Sequence, residues 1–133
     1  MRLIDSPTCV RQTDFSAGKG NALQACVAGM FGLELDAVPN FITLECGYFK
    51  GIEDFVRPLS LRKVDLAGGG LVAETDVGRL CILRGKSPRG SHAHVVVARL
   101  RTDRSFEFVH DPHPDDTFLC CSEPYGWCMF FAK

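Results

Sequence analysis

The spacing of apolar residues changes partway along this chain. From Ala22 to about Leu33, Leu23, Cys26, Val27, Met30 and Phe31 recur at intervals of three and four, the spacing that lines one face of an α-helix. The pattern predicts an amphipathic helix with Asn21 as N-cap. Gly32 either ends it or permits close packing, and Pro39 in "LELDAVPNF" marks a stop. A weaker helical pattern covers Tyr48 to about Val56. The segment Cys9 to Asn21 contains Gly18 and Gly20, has no strong period, and reads as a loop.

From Leu59 onward the period falls towards two. "LSLRKVDL" alternates polar and apolar residues, and Gly68, Gly69 and Gly70 break the chain after it. "RLCILR", "HVVVARL", "SFEFVHD" and "GWCMFFA" are short β-rich runs separated by Gly, Pro or charged turns. Helical patterns first and strands afterwards predict an α+β fold, with an N-terminal helix packed on an antiparallel sheet. A length of 133 residues favours a single domain over 1–133.

Composition narrows the partners. Apolar residues make up 46% and charged residues 23%, ordinary for a soluble globular protein. A formal net charge of -1 argues against a general grip on nucleic acid or anionic membrane. No apolar run approaches the ~20 residues of a membrane span, and "MRLIDSPTCVRQTD" lacks the apolar stretch of a signal peptide. The expectation is a cytoplasmic chain. Its seven cysteines are odd in number and scattered, without close CxxC pairs. They read as reduced thiols, with Cys81 and Cys128 acting as small buried hydrophobes in their strands.

Candidate chemistry gathers around the histidines. All four lie between Ser91 and Pro114: His92 and His94 in "GSHAHVVVARL", His110 and His113 in "FVHDPHPDD". Residues two apart on a strand share a face, so His92 and His94 are expected to point the same way. His94 abuts the apolar run and is better placed to be held rigidly. Asp111 follows the next strand, one hairpin away, and could accept a hydrogen bond from the His94 imidazole. Pro112 and Pro114 stiffen its turn.

A thiol in the first turn of the predicted helix would feel unpaired N–H groups and the positive end of the helix dipole. Both favour the reactive thiolate. The residue there is Ala22. Cys26 lies a turn further in, on the apolar stripe, where burial raises a thiol's pKa. It reads as structural.

"GNALQACVAGMFGLELDAVPNF", "GKSPRG", "HVVV" and "VHDPHPDD", in this order, resemble a group of small papain-like proteins of bacteria and their phages. These are related in pattern to the peptidase domains of bacteriocin-exporting transporters. The resemblance covers most of the chain. In that group the helix opens with Gly-Asn/Asp-Cys and a second cysteine follows four residues later. Gly20, Asn21 and Cys26 match that pattern, and Ala22 occupies the nucleophile's position. The resemblance implies His94 as general base, Asp111 as orienting acid and Gln12, in "VRQTDF", as the oxyanion-binding glutamine. It implies a cysteine-dependent amide hydrolase of peptidase, deamidase or acyl-transfer type. Its substrate would be a peptide, a protein or a small amide, and no cofactor or metal would be required.

Ala22 has three readings, in decreasing order of preference. One is an engineered cysteine-to-alanine change that inactivates the enzyme. Another is a pseudoenzyme, a papain-fold module that binds without cutting. The third makes Cys26 the nucleophile. Other features have simpler readings. "HDPHPDD" invites a metal site but reads first as a rigid turn, with Asp115 and Asp116 a solvated acidic corner. "AGGG" lacks the context of a phosphate loop. His92 reads as a loop histidine, and Trp127 and Phe130 as core before pocket wall. Arg84, Lys86 and Arg89 form a basic group near His94 that could meet a carboxylate.

Overall fold

The computed structural model describes residues 2–16, 19–120 and 124–132; Gly18 and Cys121 lie outside them. Helix α1 spans Ala22–Phe31 and helix α2 spans Tyr48–Phe55. Two single 3-10 turns, Leu35–Ala37 and Phe41–Thr43, fill the connection between them. Five strands follow: β1 Ser60–Asp65, β2 Leu80–Lys86, β3 Ala93–Leu100, β4 Phe106–His110 and β5 Trp127–Ala132. They form one antiparallel sheet in the order β1-β5-β2-β3-β4. The expected α+β class and the order of helices before strands are present.

Alternation along the strands splits the interior in two. On one face Ile82, Val95, Val97, Trp127, Met129 and Phe131 pack beneath α1 and α2, against Val27, Met30, Phe31 and Ile52. On the other, Cys81, Leu83, Val96, Ala98, Cys128 and Phe130 pack under loops that carry Val72, Phe118 and Tyr125. Here Asp76, wholly buried, pairs with Arg62 and Arg79 and accepts a hydrogen bond from the Ala73 N–H. Sheets with both faces covered carry near-continuous apolar strands, which is why β3 and β5 are apolar at almost every position.

Helix α1 departs from the amphipathic expectation. Ala25, Ala28 and Gly29 are buried along with the predicted stripe. The cause is the N-terminal segment, which crosses its outer side. The Ile4 N–H donates to the Met30 carbonyl at 3.2 Å and the Thr8 N–H to the Gly29 carbonyl at 3.0 Å. These bonds occupy carbonyls near the helix C-terminus that would otherwise lack partners. A Cβ at Gly29 would lie 2.4 Å from the Thr8 carbonyl oxygen, so the crossing requires glycine. Gly32 closes the helix at φ 67, the left-handed conformation that favours glycine.

Asn21 is not a side-chain cap. Its Oδ1 accepts from the Thr13 and Asp14 N–H groups at 2.8 and 2.9 Å, and its Nδ2 donates to Thr13 Oγ1 at 3.0 Å. The residue fixes the preceding loop to the helix mouth and leaves the first-turn N–H groups without a side-chain acceptor.

Among the described residues, no single helix is long and apolar enough to cross a membrane. The described cysteines are all free. Cys81 and Cys128 are buried, and desolvation raises both thiols, that of Cys128 to about 12.

Candidate active site

A cleft of about 450 Å³ opens at the start of α1. The loop before the helix supplies Gln12, Phe15, Ser16 and Gly20 to its wall, and the helix supplies Ala22 and Leu23. The sheet adds Arg84, His94, Val95 and Trp127, with His92 just before β3. Ile42 and Tyr48 complete the lining from the helical layer. The four residues singled out by sequence fall into two sets. Ala22, His94 and Gln12 line the cleft itself, and Asp111 stands behind His94.

The buried pair of His94 and Asp111 is the best-defined part of the site. His94 Nε2 lies 2.7 Å from Asp111 Oδ1, with His94 7% exposed and Asp111 not exposed at all. The other imidazole nitrogen, Nδ1, makes no hydrogen bond among the described residues. Asp111 also accepts from the His113 N–H at 2.9 Å and the Phe118 N–H at 2.8 Å. Burial alone would raise this carboxyl, but the bonds from His94 and the two backbone N–H groups outweigh it and hold the pKa below its ordinary value. Phe118 adopts φ 59, a left-handed conformation rare for a bulky residue. That local backbone accompanies an N–H aimed at Asp111.

The turn bearing Asp111 is tied to the N-terminal segment. Arg11 Nη1 donates to the carbonyls of Asp111 and His113 at 2.8 and 3.0 Å, and its guanidinium pairs with Asp116. The Gln12 N–H donates to the Pro112 carbonyl at 2.9 Å. Asp115 pairs with Arg89, and its backbone N–H donates to His113 Nδ1 at 3.2 Å. The acidic corner is exposed, as expected, and each of its residues also pairs with an arginine, which withdraws Arg89 from the basic group near His94. His110 Nε2 faces the Pro7 carbonyl at 2.8 Å. Among the described residues, no group of three or more His, Cys, Asp or Glu side chains is arranged to hold a metal ion.

Gln12 is 7% exposed. Its Nε2 donates to the Asp14 carbonyl at 3.0 Å, and its Oε1 is buried without a partner among the described residues. One N–H of that amide remains uncommitted. His92 is exposed and precedes β3, as its loop reading expects, and lines the cleft alongside His94, which is buried within the strand. Cys26 is 2% exposed, absent from the cleft wall, and its thiol lies 3.7 Å from the Val95 carbonyl. Burial, with the charge of Asp111 adding to it, pushes that thiol well above its ordinary pKa. This is the environment of an inert thiol.

Sequence reasoning missed several cleft residues. Phe15 and Ile42 are 55% and 42% exposed, large apolar side chains at the cleft wall. The Phe15 ring meets His113 edge-on at 5.0 Å, and His113 meets the His94 ring at 6.4 Å. Tyr48 stacks on Trp127 with centroids 5.9 Å apart. Phe15, a lone aromatic in a polar loop, was the one legible signal. The roles of Arg11 and Phe118 depend on contacts distant in sequence or on backbone angles, which no local pattern announces. No family model matches this chain, and no curated protein or solved structure matches it either.

Proposed function

We propose that this cleft is the site of a papain-like thiol amide hydrolase, of peptidase, deamidase or acyl-transfer type, with alanine where the nucleophile belongs. The chain as it stands then binds an amide and does not turn it over. One observation carries the reading. A buried imidazole, oriented by a fully buried carboxylate at 2.7 Å, lines the same cleft as the first residue of an uncapped helix.

With a thiol at position 22, the proposed reaction uses the cleft groups in turn. Nδ1 of His94 takes the thiol proton, and Asp111 stabilises the resulting imidazolium. The thiolate attacks the amide carbonyl. Helix-start N–H groups, left free because Asn21 bonds elsewhere, and the second N–H of Gln12 receive the oxyanion. Each such donor is worth about 3–4 kcal/mol in comparable sites. His94 then protonates the departing amine, the C–N bond breaks, and a thioester remains. Water, deprotonated by His94, attacks the thioester and releases the acid and the thiol. In a transferase, an amine takes the place of that water.

A second reading, a non-catalytic binding module, draws on the absence of any thiol from the cleft wall among the described residues. One experiment separates the two. Ala22→Cys is incubated with a peptide vinyl sulfone and analysed by intact mass and peptide mapping. The enzyme reading expects one adduct at position 22, lost or strongly slowed by His94→Gln. No adduct at position 22, or equal labelling with and without His94, favours the binding module.

A further inference from the structure

Arg84 is the exception among the arginines. Every other arginine from Arg11 to Arg104 binds a carboxylate or a backbone carbonyl. Arg84 does neither among the described residues, and it is the arginine that lines the cleft.

Its placement follows from strand alternation. Ile82 packs in the core beneath α1 and Leu83 in the core on the opposite face. Arg84 and Lys86, two and four residues after Ile82, therefore leave the sheet on the helix side. Register sets Arg84 opposite Val95 on one side and Trp127 on the other. Gly126 leaves it room: a Cβ there would meet Arg84 Nη1 at 3.3 Å. Beside the cleft lies a second hollow of about 280 Å³, which Arg84 shares with Lys86 and His92. Among the described residues, no Asp or Glu lines either cavity.

Two cations in a concave wall, with no counter-charge among the described lining residues, focus positive potential on whatever enters. The planar guanidinium fork matches a carboxylate. Much of the remaining wall is apolar, with Phe15 and Ile42 exposed and Tyr48 stacked on Trp127. We propose that the cleft selects an acidic peptide: a carboxylate seats on Arg84, with Lys86 beside it, and a neighbouring apolar side chain lies against the aromatic wall. The selection rests on the reading of the cleft as an amide-binding site. It adds the side-chain chemistry of the ligand.

The test uses the chain as it stands, with Ala22 in place. The 15N-labelled protein is titrated with three matched pools of N-acetylated hexapeptides, each containing one Phe. The first pool is C-amidated with an internal Glu, the second is the same with Gln, and the third carries Gln and a free C-terminal carboxylate. NMR shifts of the Trp127 indole N–H and the Arg84 Nε–H report binding. At least one carboxylate pool is expected to bind about tenfold or more tightly than the neutral pool, as charge-assisted hydrogen bonds predict. That advantage falls with added salt and is lost in Arg84→Gln. Whichever carboxylate pool prevails identifies a side-chain or chain-end carboxylate as the ligand. Equal affinities at the cleft, or a preference that survives Arg84→Gln, overturn the subsite while leaving amide binding intact. If no pool perturbs the cleft, both readings fall.

Discussion

Asp111 is held by three donors, and each makes its charge useful to the fold as well as to His94. Its pKa lies below the ordinary value of about 3.9. A depressed carboxyl stabilises the folded state above its unfolded pKa, and the contribution disappears as pH falls through the folded value. Asp111→Asn should therefore lower stability by about 1–3 kcal/mol at neutral pH. The gap to the unmodified chain should close below about pH 4 as the wild-type carboxyl takes up its proton. Urea unfolding measured at a series of pH values checks this; a gap that stays constant down to pH 2 would contradict it. The Asp111 partnership was legible from its position one hairpin beyond His94. The Phe118 donor was not, because a left-handed backbone angle at a phenylalanine leaves no mark in the residue pattern.

At the scale of elements, the N-terminal segment organises the site while having no regular structure of its own. It crosses α1 at Gly29, then clamps the turn that carries Asp111 through Arg11 and Gln12. Gly29→Ala should force the segment off the helix, because its Cβ would meet backbone, not a flexible side chain. A loss of about 1–3 kcal/mol is expected, the range for overpacking, read as a lowered melting temperature with faster exchange of the Thr8 amide. An unchanged melting temperature would refute the crossing. Three- and four-residue spacing revealed α1 correctly within two residues of its end. It missed that Ala25, Ala28 and Gly29 are also covered, because small residues read as an outer face when nothing local reveals a crossing segment. Asn21 misled for a related reason. Its side chain is the right type for a cap, but the loop at Thr13 and Asp14 competes for it.

In the whole molecule, the cleft and the structural ion cluster occupy different faces of one sheet. Asp76 joins Arg62 and Arg79 over the face opposite α1, where both arginines also lie over the Phe130 ring. Removing its charge leaves two partly exposed arginines, so Asp76→Asn should cost about 2 kcal/mol, below the figure for a fully buried pair. Denaturant unfolding measures that loss, and peptide titration of the cleft should be unchanged. The two-sided core was only half legible. Continuous apolar runs in β3 and β5 signalled strands but not which loops cover their second face.

The central claim is that position 22 is set up for a thiolate partnered by His94. The most direct measurement is the pH dependence of iodoacetamide alkylation at the thiol introduced by Ala22→Cys, followed by mass spectrometry at that residue. The account predicts rapid modification well below the ordinary thiol pKa of about 8.5, with that low-pH limb abolished by His94→Gln. A rate that rises only near pH 8.5, and is indifferent to residue 94, would contradict it.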